Sequence, residues 1–247
     1  MEKITLYIDP EINNLKNELR ALSAEILVLE NELSEIDKTI HSFDVKQIEI
    51  LGDIILQILD LRKKIATKKV KENPQDKEAQ NKYQETETDE KEYKGLYEDA
   101  KTNPINQLTP DEEQELKSLF RKISKLTHPD LVDKKFEKQA AELFDKAKKA
   151  KDSNDLKTLK EILDYLVNGT PFSLKQETIT ENEALKKEVD HLRTVILQLK
   201  QKLNETVNSD TYKTIISIPN WGTYFTQTKE KLQQELDNLK SLDNEPV

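Results

Sequence analysis

Along the first part of the chain, Ile12, Leu15, Leu19, Leu22, Ile26, Leu29, Leu33, Ile36 and Ile40 follow one another at alternating spacings of three and four. Held for about four heptads, that rhythm predicts a helix carrying the a/d seam of a coiled coil. Asp9 as N-cap and Pro10 as first helical residue supply its start. Past "HSFDVKQ" the apolar positions become denser: Ile48, Ile50, Leu51, Ile54, Ile55, Ile58, Leu59, Leu61 and Ile65 cover more than one stripe. A helix that is apolar on several sides needs several neighbours. Either residues 44–66 fold back on the first helix, turning near Ser42–Asp44, or both stretches pack in a homodimer. The intramolecular hairpin over residues 1–66 is the expected arrangement.

Residues 67–90, "TKKVKENPQDKEAQNKYQETETDE", show almost no apolar periodicity and read as a polar linker or fraying helix. Helical punctuation is strongest in 91–168. "LTPDEEQELKSLF" has Thr109 as N-cap, Pro110 at N1 and Glu112 completing a capping box. Leu116, Leu119, Phe120, Ile123 and Leu126 give that helix its apolar face. A second helix carries Phe136, Ala140, Leu143, Phe144 and Ala147. A third carries Leu156, Leu159, Ile162, Leu163 and Leu166, stopped by Gly169 and Pro171. Residues 174–247 predict a second coil, with Ala184 or Leu185, Val189 or Glu188, Leu192, Ile196 or Val195, Leu199 and Leu203 at helical spacing. It is broken by "TYKTIISIPNWGTYF", a short strand or docking loop turning at Pro219–Gly222 and anchored by Trp221. A polar amphipathic helix over Thr228–Leu242 follows.

Composition narrows the class to all-α. Charged residues make up 35%, hydrophobic residues only 35%, and the chain has just 4 glycines, which suits long helices better than a sheet. A net charge of −9 argues against general nucleic-acid binding. With no cysteine and with His41, His128 and His191 far apart in sequence, neither disulfides nor a thiolate or histidine-rich metal site is expected. No cofactor is implied: phosphate-binding loops, glycine fingerprints and nucleophile elbows are missing from the sequence. "MEKITLYIDP" does not read as a signal peptide and no apolar run is long enough for a membrane, so a soluble cytoplasmic protein is expected.

One short stretch carries candidate chemistry. In "KLTHPDLVD" a helical pattern runs into His128-Pro129-Asp130 and another leaves it. Pro129 disfavours α geometry at His128, so the helix should end near Thr127 and present His128 on an exposed loop. Asp130 can bond to the backbone of the same turn. Lys117, Arg121, Lys122 and Lys125 form a basic stripe on the helix before it.

These residues carry a resemblance. "LFRKISKLTHPD" followed by "LFDKAKKAK" resembles the J-domain of DnaJ-like co-chaperones over roughly residues 91–168. Phe120, Arg121, Lys122, Ile123 and Ser124 stand where the family usually has Tyr-Arg-Lys-Leu-Ala, and Phe144, Ala147 and Ala150 match the second helix. Thr127 stands where an aromatic is usual, Leu131 where Lys is usual and Lys151 where Tyr is usual. Tyr93–Tyr97 would be the short first helix, and "SNDLKTLKEILDYL" looks like a variant C-terminal end. The resemblance implies a non-enzymatic co-chaperone that docks on a DnaK-type chaperone and stimulates its ATP hydrolysis. His128, Pro129 and Asp130 would stimulate; Lys117, Arg121, Lys122 and Lys125 would dock; the coiled coils would bind a client or partner. The alternative is a coiled-coil scaffold with a degenerate J-like hairpin.

Overall fold

The structure is a computed structural model and describes residues 10–102, 105–169 and 172–244. The expected N-cap Asp9 and the stop residue Pro171 lie outside the described residues. The architecture is all-α; among the described residues the only β pairing is an isolated antiparallel bridge between Val132 and Leu174. The helices are α1 (Pro10–Glu72), α2 (Lys77–Thr102), α3 (Pro110–Thr127), α4 (Glu137–Asp152), α5 (Leu156–Asn168), α6 (Lys175–Thr178), α7 (Asn182–Asn208), α8 (Asp210–Ser217) and α9 (Trp221–Asn244). The chain forms two compact units. One comprises residues 1–40 and 105–213, the other 41–104 and 214–247.

The expected hairpin turn at Ser42–Asp44 is corrected: α1 runs through it unbroken. No Gly or Pro interrupts 42–44, and Phe43 is itself buried, so packing holds the helix across its polar neighbours. In the unit built from 1–40 and 105–213, the partner of the α1 seam is α7. Leu19, Ile26 and Leu29 share one core with Leu185, Val189, Leu192 and Ile196. Three interhelical ion pairs fix direction and register: Glu11 with Lys186 at 2.9 Å, Glu18 with Arg193 at 2.5 Å, and Glu25 with Lys200 at 2.7 Å. Each step of one heptad along α1 matches one along α7, so the helices run parallel. With Leu19 and Ile26 at a, the glutamates sit at g and their cations at e, the usual flanks of a parallel seam. That register sets Leu19 opposite Val189, Ile26 opposite Ile196, and Leu22 opposite Leu192.

Beside this coil lies a three-helix module with its own core. Leu116, Phe120 and Ile123 of α3 meet Ala140, Phe144 and Ala147 of α4 and Leu159, Ile162 and Leu166 of α5. Phe120 and Phe144 stack at 6.3 Å. Thr109 and Glu112 form the full capping box expected from sequence. Asn154 takes a positive φ of 56° between α4 and α5, a conformation Asn tolerates well, and its side-chain amide donates to the Asn106 carbonyl at 2.7 Å. At the end of α5, Gly169 is needed for space rather than for a left-handed turn: a Cβ there would sit 2.5 Å from the Tyr165 carbonyl oxygen.

In the other unit, residues 41–72 of α1 have two neighbours, which explains their multiple apolar stripes. Residues 67–90, expected as a polar linker or fraying helix, are helical apart from a turn over 73–76. Helix α2 returns antiparallel along α1, Glu90 pairing with Lys63 at 2.8 Å and the Tyr97 hydroxyl donating to the Asp53 carboxylate. Its facing positions are Tyr83, Thr86, Glu90, Tyr93 and Tyr97, again at spacings of three and four. Tyr93–Tyr97 thus belong to α2, not to a short first helix of the α3–α5 module. Burial pushes the Tyr93 hydroxyl up to about 12. The stretch around Trp221, expected as a strand or loop, is helical on both sides of 218–220. Asn220 caps α9 by accepting from the Thr223 amide at 2.9 Å. Trp221 meets Phe43 edge-on at 5.2 Å, and Arg62 pairs with Glu235 further along, so α9 runs parallel to α1.

Candidate interaction site at the His-Pro-Asp turn

Helix α3 ends at Thr127, and His128 takes extended geometry (φ −61°, ψ 122°) as its C-cap, as the following proline requires. The His128 amide still closes the last helical bond, donating to Ser124 at 2.9 Å. Its carbonyl accepts from the amides of Leu131 at 3.0 Å and Val132 at 3.2 Å. The His128 Nδ1 accepts from the Asp130 amide at 3.3 Å, which places the ring proton on Nε2. A strap then ties the turn down: the Asp133 amide donates to Ser173 at 2.8 Å and the Lys175 amide to Leu131 at 3.0 Å.

The expected exposure of His128 is corrected. The residue is 2% exposed. Its ring lies 5.1 Å from Phe144, and its Nε2 faces a Glu30 oxygen of α1 at 3.8 Å, too far for a hydrogen bond. No acceptor satisfies the buried Nε2. Proline fixed where the helix ends, but the cover over the turn comes from a distant part of the chain. Asp130 is half-buried and bonds to His191 of α7 at 3.2 Å. Leu131, next in the turn, is 6% exposed and inserts into the α1–α7 core. His191 is an exposed residue of α7, and its contact with Asp130 has no signal in the sequence, because no local pattern points to a partner so far along the chain.

Two carboxylates of α1 organise the rest. Glu30 also pairs with Lys148 of α4 at 3.2 Å. Burial would raise its carboxyl, but His128 and the Lys148 ammonium outweigh burial and hold it at about 2. Glu35 pairs with Lys151 at 2.7 Å and with Lys117 at 3.1 Å. Burial again opposes ionisation there, and the two ammonium groups bring the carboxyl below its usual value. Lys151 is 1% exposed, donates to the Ser34 hydroxyl at 2.8 Å and lies 4.8 Å above the Phe120 ring. Burial pulls its ammonium below the ordinary lysine range despite Glu35. Ser23, Leu27, Glu30 and Ser34 recur at spacings of four and three, so α1 carries a second working face beside its apolar seam.

The basic stripe is divided. Lys117 is committed to Glu35. Arg121, Lys122 and Lys125 are exposed and form no ion pair among the described residues. Lys125 lines an open groove with Arg20, Leu27 and Leu131. Among the described residues, no group of three His, Cys, Asp or Glu side chains is placed to hold a metal ion. No helix among them is long and apolar enough to cross a membrane.

Chemically, the arrangement offers a hydrogen-bonded turn between two helices, with Lys117 and Lys148 held by carboxylates of α1 and Arg121, Lys122 and Lys125 left as exposed cations on α3. No protein-family model, curated protein or solved structure matches the chain.

Proposed function

We propose that the α3–α5 module is a J-domain-like element and that the chain is a co-chaperone of a DnaK-type chaperone, whose ATP hydrolysis it accelerates. The observation that carries this reading is the turn itself. His128-Pro129-Asp130 closes a helical hairpin whose core pairs Phe120 with Phe144, and each of its three residues has a defined backbone or side-chain constraint. Arg121, Lys122 and Lys125 leave an unpaired cationic face on the helix leading to it. Long-range attraction between such a face and an acidic chaperone surface speeds encounter. The coils on either side would place the module near a client or partner.

A second reading has its own observation. Leu131 and Lys151, two of the departures from the family pattern, anchor the hairpin to the α1–α7 coil and to α1. A coiled-coil scaffold with a degenerate hairpin would use them in that way. Single-turnover ATP hydrolysis by a DnaK-type chaperone, with the full chain at saturating concentration, separates the two. Under the co-chaperone reading the chain accelerates hydrolysis and His128→Gln removes the acceleration. Equal rates with the parent and His128→Gln chains, under conditions in which the parent's His128 is accessible to diethyl pyrocarbonate in a parallel sample, would leave the scaffold.

A further inference from the structure

Helix α1 lies on the surface that the co-chaperone reading needs free. Its carboxylates occupy cations on both helices of the hairpin: Glu30 holds Lys148 and faces His128, while Glu35 holds Lys117 and Lys151. From the other side α7 takes Asp130 through His191, and Leu131 is sunk in the α1–α7 core. The histidine that should act on a partner is therefore out of reach.

From this we infer that residues 19–35 of α1, clamped by α7, are an internal acidic competitor that masks the His-Pro-Asp turn, so that the chain engages its chaperone only after α1 leaves the hairpin. The inference rests on the co-chaperone reading and adds its regulation. Several features fit a cover that separates as a unit. The hairpin keeps its own core of α3, α4 and α5, which does not include α1. Apart from Leu131, the contacts described between α1 and the hairpin are polar, and Glu35 is partly exposed, with 43% of its side chain reaching solvent. The uncovered His128 Nε2 would gain an acceptor, because in the closed chain that buried donor has none. An acidic partner surface would compete for the same ammonium groups that Glu30 and Glu35 hold. A partner that binds α1 or α7 would act in the same direction by mass action.

The test uses the full chain. Glu30→Lys combined with Glu35→Lys sets like charges against Lys148, Lys117 and Lys151 and should open the cover. Circular dichroism checks folding, and diethyl pyrocarbonate modification of His128 reports opening. The opened chain should accelerate single-turnover hydrolysis at least tenfold more than the parent, and adding His128→Gln should return it to the basal rate. Equal, His128-dependent acceleration by parent and opened chains would overturn the mask and leave the co-chaperone reading standing. No acceleration from the unmodified variant, when a parallel sample shows its His128 reactive, would end that reading, and the mask with it. A lock covers the case in which the opened variant fails to fold. The chain has no native cysteine, so Glu30→Cys and Lys148→Cys can be bridged by a cleavable bismaleimide. Bridging should abolish acceleration and cleavage restore it; undiminished acceleration by the bridged chain refutes masking.

Discussion

Lys151 and Glu35 form an asymmetric pair, and the asymmetry makes a sharp prediction. The ammonium is 1% exposed, while 43% of the glutamate side chain reaches solvent. Removing one partner of a fully buried pair costs about 3–5 kcal/mol, because the other charge is left without compensation. Here Glu35→Gln strands the buried ammonium, but Ser34 still accepts from it at 2.8 Å and solvent reaches the substituted amide. A cost of about 2 kcal/mol follows once the exposure of Glu35 is discounted. Lys151→Met removes the buried charge and keeps the long apolar stem over Phe120, so it should fall within about 1 kcal/mol of the parent. Combining the two should recover most of the Glu35→Gln loss. The pH dependence has a definite sign. Burial lowers the Lys151 value in the folded chain below that of the unfolded chain. The unfolded state then binds the extra proton between the two values, so stability rises with pH through that window. Glu35→Gln removes the main opposing pull and should widen the window downward. Urea denaturation of the four chains in a double-mutant cycle, at neutral and alkaline pH, measures this. If Lys151→Met costs as much as Glu35→Gln, the pair is a net stabiliser and the reasoning from burial is wrong.

Other substitutions test separate parts of the fold. Glu30, held at about 2 against an ordinary value of 4.5, contributes stability that is fully present above pH 4.5 and is lost as pH falls toward 2; Glu30→Gln should flatten this acid limb in pH-dependent melting. Phe144→Ala should cost about 3–5 kcal/mol by denaturant titration, since the ring packs against both Phe120 and His128. Ile26→Val at the buried centre of the α1–α7 seam should cost about 0.5–1.5 kcal/mol, and Ile26→Ala about 2–5. Thr109→Ala should cost about 1 kcal/mol by removing the N-cap of α3.

Much of the helical layout is legible in the chain, because local signals set it. The α1 seam, the Thr109 capping box and the end of α3 before Pro129 are all written within a few residues of where they act. Partner choice is not local. The seam of α1 announces a coiled coil, yet only the matched charges name α7: Glu11, Glu18 and Glu25 recur in step with Lys186, Arg193 and Lys200. That signal is present in the sequence and sets a parallel register once the heptads are aligned. Helix α2 escapes an apolar search because its stripe is built from Tyr83, Thr86, Glu90, Tyr93 and Tyr97, side chains that bury rings or stems while keeping a polar tip. Ser42–Asp44 looks like a turn by residue type, but the helix continues because Phe43 packs with Trp221 and Phe225. The position of His128 follows from Pro129, while its burial depends on Glu30, almost a hundred residues earlier, and no local rule reaches that far.

Native-state amide hydrogen exchange at Leu131 tests the covered turn most directly. Its amide donates to the His128 carbonyl at 3.0 Å, and its side chain is buried in the α1–α7 core. The parent chain should protect it to the same degree as Ile26 and Leu192 in the α1–α7 seam. The Glu30→Lys, Glu35→Lys chain should lose that protection while Val132, Phe120, Phe144 and Leu159 in the hairpin core keep theirs. Rapid exchange of Leu131 in the parent, or unchanged protection in the variant, would show that α1 does not hold the His-Pro-Asp turn closed.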